Sequence, residues 1–187
     1  MAMQSKWLVT DEIKNQITRA STIRPRLEYA TELVDGILDA LVQKKFELHK
    51  NNLDLYTKDK EDRHTFLEFG SWLNFELEIC YAVEALRQVR RKIECVFGLV
   101  NIVVVLAPTI SIVRIVRSKL HCSFPETDVA LGELRLVLGG LIIDTGHLTD
   151  AKLDFEQANC ESRRLLDEAK LIADSKISKQ FPNLDLS

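Results

Sequence analysis

Two sets of polar residues have spacings that would place them on one helix face. His64 and Glu68 stand at i, i+4, and His147, Asp150 and Asp154 at i, i+3, i+7. Imidazoles and carboxylates so placed could begin a divalent-metal site, but such a site needs three or four converging ligands and a shaped outer shell. Polar residues on a solvated helix face are the commoner meaning of these spacings, so no metal is expected. Gly-x-Ser-x-Gly, a phosphate loop and His-Glu-x-x-His are all missing, and no nucleophile is paired with a base. The reading is a protein that is not an enzyme, with no catalytic residues and no cofactor. Arg87, Arg90, Arg91 and Lys92 form a basic group, but without interleaved aromatics or a strongly basic total it does not read as a nucleic-acid surface. Cys80, Cys95, Cys122 and Cys160 are scattered without a Cys-x-x-Cys spacing, and read as buried, reduced thiols.

The elements that would position any site are helical. In 187 residues there are only 7 glycines and 4 prolines, and hydrophobic residues make up 46%. That suits long helices with a core rather than disorder. The net charge is −3, divided as +2 over residues 1–120 and −5 over residues 121–187. Such halves can attract each other or meet different partners.

The first long helix is predicted from about Pro25 to about Leu55, with an apolar seam of Leu27, Ala30, Val34, Ile37, Leu41 and Leu48, widened by Leu38, Val42 and Phe46. The second carries Phe75, Ile79, Ala82, Leu86, Val89, Ile93 and Val96 at steps of four and three, with Arg87 and Arg91 opposite. Joined by the charged stretch Thr57–Arg63, they should fold as an antiparallel hairpin whose facing residues include Ile37, Leu41, Phe75, Ile79, Leu86 and Val89. A two-helix hairpin cannot complete its own core, so further helices or further copies must cover it.

The run Cys95–Val113 has 19 residues without a formal charge. Its length is that of a membrane-spanning helix, and a spanning protein is one alternative. Asn101, Pro108 and basic residues on both flanks favour a joint between two helices instead, with Gly98 and Pro108 as hinge and a break near Ala107–Pro108. Beyond it a short helix is expected over Ile110–Leu120. Ser123-Phe-Pro-Glu126 has the spacing of a capping box for a helix over about Glu126–Leu138, with Ile143 as the farther end if it runs through Gly139-Gly140. Thr149 is the expected cap of a last helix with the seam Phe155, Ala158, Ser162, Leu165, Ala169 and Ile172.

Both ends of the chain read as contact segments. Lys6, Trp7, Leu8 and Val9, followed by Lys14, Arg19, Arg24 and Arg26, suit an amphipathic anchor on an anionic surface, with Trp7 at headgroup depth. The tail places Phe181, Leu184 and Leu186 beyond the last helix, with Pro182 fixing one dihedral. An extended segment of that kind suits a groove between helices, or folds back onto its own module.

This order of elements resembles the ESCRT-III family, and within it the archaeal cell-division proteins of the CdvB type. The resemblance rests on Leu99-Val-Asn-Ile-Val-Val-Val-Leu-Ala-Pro108 with Ile112–Lys119, and on Leu131-Gly-Glu-Leu134 through Ile143-Asp-Thr-Gly146. It covers about Ile23 to Ser175, with no winged-helix extension. It implies an all-α fold in three parts: an amphipathic segment over 1–22, a helical core over 23–148, and an acidic helix and tail over 149–187. The implied function is polymerisation on the inner face of the cell membrane, for remodelling and scission in archaeal cell division. The implied partners are copies of itself, paralogous subunits, anionic lipid, and a AAA ATPase whose MIT domain takes Phe181, Pro182 and Leu184. A soluble helical adaptor that never polymerises is the other alternative.

Overall fold

Heptad-spaced apolar residues on two successive helices favour the pairing that buries both stripes, and this pairing forms the spine of the protein. The structure is a computed structural model. It describes residues 11–57, 63–97, 101–121, 123–149 and 154–182, with side chains over 22–57, 67–97, 101–121, 123–146 and 154–182. All five α-helices lie in these residues, and no strand occurs among them. Helix α1 spans Asp11–Thr57 and α2 spans Arg63–Val96. At 1.5 Å per residue they are about 70 Å and about 50 Å long. Leu27, Ala30, Val34, Ile37, Leu41 and Leu48 are buried from α1, as are Ile79, Ala82, Leu86, Val89, Ile93 and Val96 from α2. Phe75 is half-buried against the same core.

Several boundaries differ from the expectation. Helix α1 begins at Asp11 rather than near Pro25, and Pro25 lies inside it. The division drawn at residue 22 therefore falls within one helix. Val42 and Phe46 do not widen the seam: both are exposed, on the flank of α1.

Helix α3 (Ile102–Leu120) begins where Asn101 accepts a hydrogen bond from the Val104 amide through its side chain, at 3.4 Å. The apolar run is thus divided: Cys95 and Val96 end α2, while Ile102–Val113 belong to α3. The break lies ahead of Asn101, not at Ala107–Pro108. Pro108 is buried inside α3, and the carbonyl that loses its partner belongs to Val104, an exposed residue. Gly98 lies outside the described residues. No helix among the described residues is long and apolar enough to cross a membrane, so the spanning alternative loses its basis there.

A 3-10 turn at Pro125–Thr127 leads into α4 (Asp128–Thr149), which continues through Gly139 and Gly140. The predicted capping box does not form. Phe124 precedes the turn without a side-chain cap, and Thr127 bonds back to the Phe124 carbonyl at 3.1 Å. Asp128 instead receives Arg117 through Nε at 2.9 Å and Nη2 at 3.2 Å, with His121 Nδ1 at 3.1 Å. Arg117 and then His121 hold its carboxyl at about 2. Helix α5 covers Phe155–Gln180.

Helix α3 lies against α2, and α4 against both α1 and α3, and together with α5 they enclose the main core around the hairpin. Helix α5 lies along α2 and α3. Of the cysteines, Cys80 is buried, but Cys95 and Cys160 are exposed, contrary to the expectation for them. Cys122 lies outside the described residues.

Ile79 is fully buried at the centre of the hairpin. Replacing it by Asp places a carboxylate in an apolar seam, at an expected cost of about 3–5 kcal/mol. Circular dichroism melting should show a strongly lowered midpoint or loss of cooperativity; an unchanged cooperative melt would contradict the seam.

Candidate functional site

The polar sets that first suggested chemistry fall largely on side chains outside the described ones. The side chains of His64, His147 and Asp150 lie outside the described ones, and Asp154 caps a helix. Among the described residues no group of three His, Cys, Asp or Glu could hold a metal ion. The place where distant parts of the chain meet with polar and aromatic specificity is the contact of α5 with the hairpin.

Helix α5 is capped by Asp154, not Thr149, which ends α4. The Asp154 carboxylate accepts from the amides of Glu156 at 3.0 Å and Gln157 at 3.1 Å. Ser162, Leu165, Leu166, Ala169, Ala173 and Ile177 face inward. Ser162, Leu165 and Ala169 are seam residues as expected, whereas Phe155 is 71% exposed and Ile172 only half-buried. The seam therefore turns away from Phe155 and continues to Ile177.

Ion pairs cross the contact at two levels. Near the end of α2, Lys92 Nζ lies 3.3 Å from Glu161 Oε1. Arg164 of the same helix bonds Glu161 at 2.7 Å. Arg164 and then Lys92 hold the Glu161 carboxyl at about 2, against a partial burial that opposes ionisation. Nearer the hairpin tip, Lys176 pairs with Glu84, a buried carboxylate that Arg87 also reaches at 2.7 Å.

The far end is aromatic. Phe181, expected in an exposed tail, is fully buried. Its ring centroid lies 5.4 Å from those of His49 and Tyr56 and 5.7 Å from that of Phe69, edge-on to each. Leu55, Leu73 and Ile177 complete this second core, separate from the main one. The Tyr56 hydroxyl donates to the Pro182 carbonyl at 2.7 Å. Beneath the nest, buried Glu76 accepts from Asn52 Nδ2 at 2.7 Å and lies 2.9 Å from His49 Nδ1. Of the tail residues singled out, Leu184 and Leu186 lie outside the described ones. Phe181 and Pro182 thus lie against the chain's own module, the plainer of the two readings for these two residues. Tyr56, Phe69 and His49 were missed because they belong to no seam; only their aromatic character near the hairpin tip could have pointed to them.

The residues expected to meet a membrane are only partly described. Lys6, Trp7, Leu8 and Val9 lie outside the described residues, and Lys14 and Arg19 are described in backbone only, within α1. Arg24 is exposed and pairs with Glu28 at 3.2 Å. Arg26 is tied to Asp144 of α4 at 2.7 Å.

Against this geometry the comparisons with known proteins can be set. No family model matches the chain, and no solved structure matches it. A curated protein that does match is "Cell division protein B1" of Sulfolobus acidocaldarius, 29% identical over 100 residues. The chain is similar to a cell-division protein. The match covers 54% of this chain and 47% of the relative, so the chain spans about half the length of the curated protein it matches.

Two outcomes test the contact. Phe181→Ala empties the nest and should destabilise it by about 3–5 kcal/mol; hydrogen exchange should rise first in the last turns of α5 while the α1–α2 seam stays protected. The second concerns pH. Glu161 has its ordinary value at 4.5 and about 2 when folded. Its contribution is therefore full above about 4.5 and disappears as pH falls towards 2. Exchange in the first half of α5 should rise over that interval, and Glu161→Gln should flatten the part of the response that this carboxylate supplies.

Proposed function

We propose that this chain is an ESCRT-III-type subunit that polymerises on membranes and remodels and cuts them in archaeal cell division. The observation that carries the reading is the closing of α5 onto the hairpin. A long hairpin needs a cover for its apolar flank, and here the chain supplies that cover itself. The contact is made of separable parts: Leu165, Leu166 and Ala169 in the main core, ion pairs at two levels, and an aromatic plug with its own small core at the hairpin tip. Freeing α5 would bare apolar surface on α2 and α3 for copies of the chain or for paralogous subunits. Similarity to a cell-division protein supports the same reading.

In this reading the chain sits on the inner face of the cell membrane. Trp7, Leu8 and Val9 insert, while Lys6, Lys14, Arg19 and Arg24 meet anionic headgroups, at roughly 1 kcal/mol per basic residue near the surface. Arg26 contributes less, because Asp144 holds it. A AAA ATPase with an MIT domain would take the tail through Phe181, Pro182 and Leu184. That encounter requires Phe181 to leave its nest, so recognition and opening become one event. No nucleic acid and no catalysis are involved.

The test uses the full chain with anionic vesicles, read by sedimentation and negative-stain electron microscopy. Filaments on the vesicles are expected, and removing residues 154–187 should lower the concentration at which they appear. Trp7→Glu should reduce sedimentation with vesicles. A chain that stays monomeric on vesicles with and without residues 154–187 would instead be the soluble adaptor.

A further inference from the structure

Helix α4 is apolar on opposite sides. Its inner face buries Leu131, Leu134, Leu138 and Leu141 against the rest of the protein. Its outer face carries Val129, Leu136 and Ile143, exposed by 77%, 77% and 68%. These three are seven residues apart, so they form one line along the helix, drifting only about 20° per step. A helix that is apolar all round is normally covered all round.

Gly132, Gly139 and Gly146 accompany this line at the same interval, with Gly140 next to the second, and the four are of two kinds. Gly132 and Gly140 make room for arginines of the same chain. A Cβ at Gly132 would lie 2.8 Å from Arg117 Nη1, and one at Gly140 would lie 2.8 Å from Arg26 Nη2. Gly139 and Gly146 have no such neighbour: a Cβ there would meet nothing within 4 Å. In a helix interior each glycine is less favourable than alanine by about 1 kcal/mol. Their place beside the exposed line suits close approach by another helix.

Charge decides what that helix belongs to. Asp128, Glu133 and Asp144 flank the line, and so do Arg117, Arg135 and Arg26. Most are already paired within the chain: Arg117 with Asp128, Arg26 with Asp144, and Tyr29 donating to Glu133. The border therefore has no net charge. An anionic membrane, or a strongly charged partner, would find no cluster of like charge there. A two-fold contact brings each surface against itself, and a border without net charge does not repel its own copy.

We infer that the outer face of α4, lined by Val129, Leu136 and Ile143 beside Gly139 and Gly146, is a homotypic contact on which a second copy of this chain docks its own α4 antiparallel. Leu136 then meets Leu136 of the second copy near the two-fold axis, and Val129 of each copy lies near Ile143 of the other. The line from Val129 to Ile143 is about 21 Å long. A single helix pair of that length buries less than the roughly 1,200–2,000 Å² of a stable interface, so the contact is weak alone and useful when repeated. The inference deepens the polymer reading by naming a surface through which copies meet.

The test is made in solution, without lipid, on full-length chain whose Cys95, Cys122 and Cys160 are replaced by Ser. With Leu136→Cys, oxidation should yield a disulfide dimer. With Val129→Cys and Ile143→Cys on separate chains, the mixed dimer should dominate over either homodimer. Leu136→Glu should weaken self-association in sedimentation equilibrium by about tenfold or more, equivalent to about 1.4 kcal/mol. Because Leu136 is exposed, its melting curve should not move. Equal self-association of Leu136→Glu and parent overturns the inference, and so does a parallel cross-linking pattern. It is equally overturned if the parent is monomeric and Leu136→Glu loses only vesicle binding, which would place lipid on this face. Solution dimers without filaments on vesicles would refute the polymer reading and leave this contact standing. Filaments that survive Leu136→Glu unchanged would do the reverse.

Discussion

The structure depends on an unfinished core. Two amphipathic helices laid antiparallel bury one stripe each, and the surface left on either side of that seam is still apolar. Burial of such surface is worth about 25 cal/mol per Å², so leaving it to water is the larger loss in a protein of this size. Helices α3 and α4 answer this on one side of the hairpin, and α5 lies against α2 and α3. The main core accordingly draws side chains from all five helices rather than from the hairpin alone.

The covering is uneven in kind. Helices α3 and α4 contribute large aliphatic side chains that are fully buried, such as Leu106, Ile112, Leu134 and Leu138. Helix α5 mixes small residues, Ser162, Ala169 and Ala173, with Leu165, Leu166 and Ile177, and adds charged partners and one phenylalanine. The ion pairs of α5, part-buried at Lys92–Glu161 and ending on the buried Glu84 carboxylate, set desolvation against attraction and so add little net stability. The grip of α5 is therefore shared between Leu165, Leu166 and Ala169 in the main core and the hairpin tip, where Phe181, Phe69 and Tyr56 lie apart from it.

The hairpin was legible because its residues repeat at helical spacing over many turns: Ile79, Leu86 and Ile93 declare a buried line without help from the rest of the chain. The helix ends were less legible. Pro25 looked like a start because the apolar pattern begins beside it, yet the backbone continues to Asp11. Pro108 looked like a break, but the side-chain cap of Asn101 sets the start of α3 earlier, and a buried helix accommodates the proline. Thr149 and Asp154 are both able to cap; which one does so depends on where α4 stops. At the candidate site, Leu165 and Ala169 followed from their spacing. The nest around Phe181 did not, because it is assembled from α1, α2 and the residue after α5, which only the tertiary fold brings together. The outer line of α4 escaped notice for a related reason: Val129, Leu136 and Ile143 look like core until the other face is seen to be the buried one.

The direction of α5 has a mechanical consequence. Its contacts run from Lys92–Glu161 through Glu84–Lys176 to Phe69–Phe181, antiparallel to α2, so its last described residues lie towards the hairpin tip. A force applied to the C-terminus back along α2 would load the contacts one after another, beginning with the aromatic plug. That is peeling, in which each bond bears the load alone, and not shear, in which all share it. Traction at the tail would thus detach α5 at low force while the α1–α2 seam, lying outside the line of pull, stays intact.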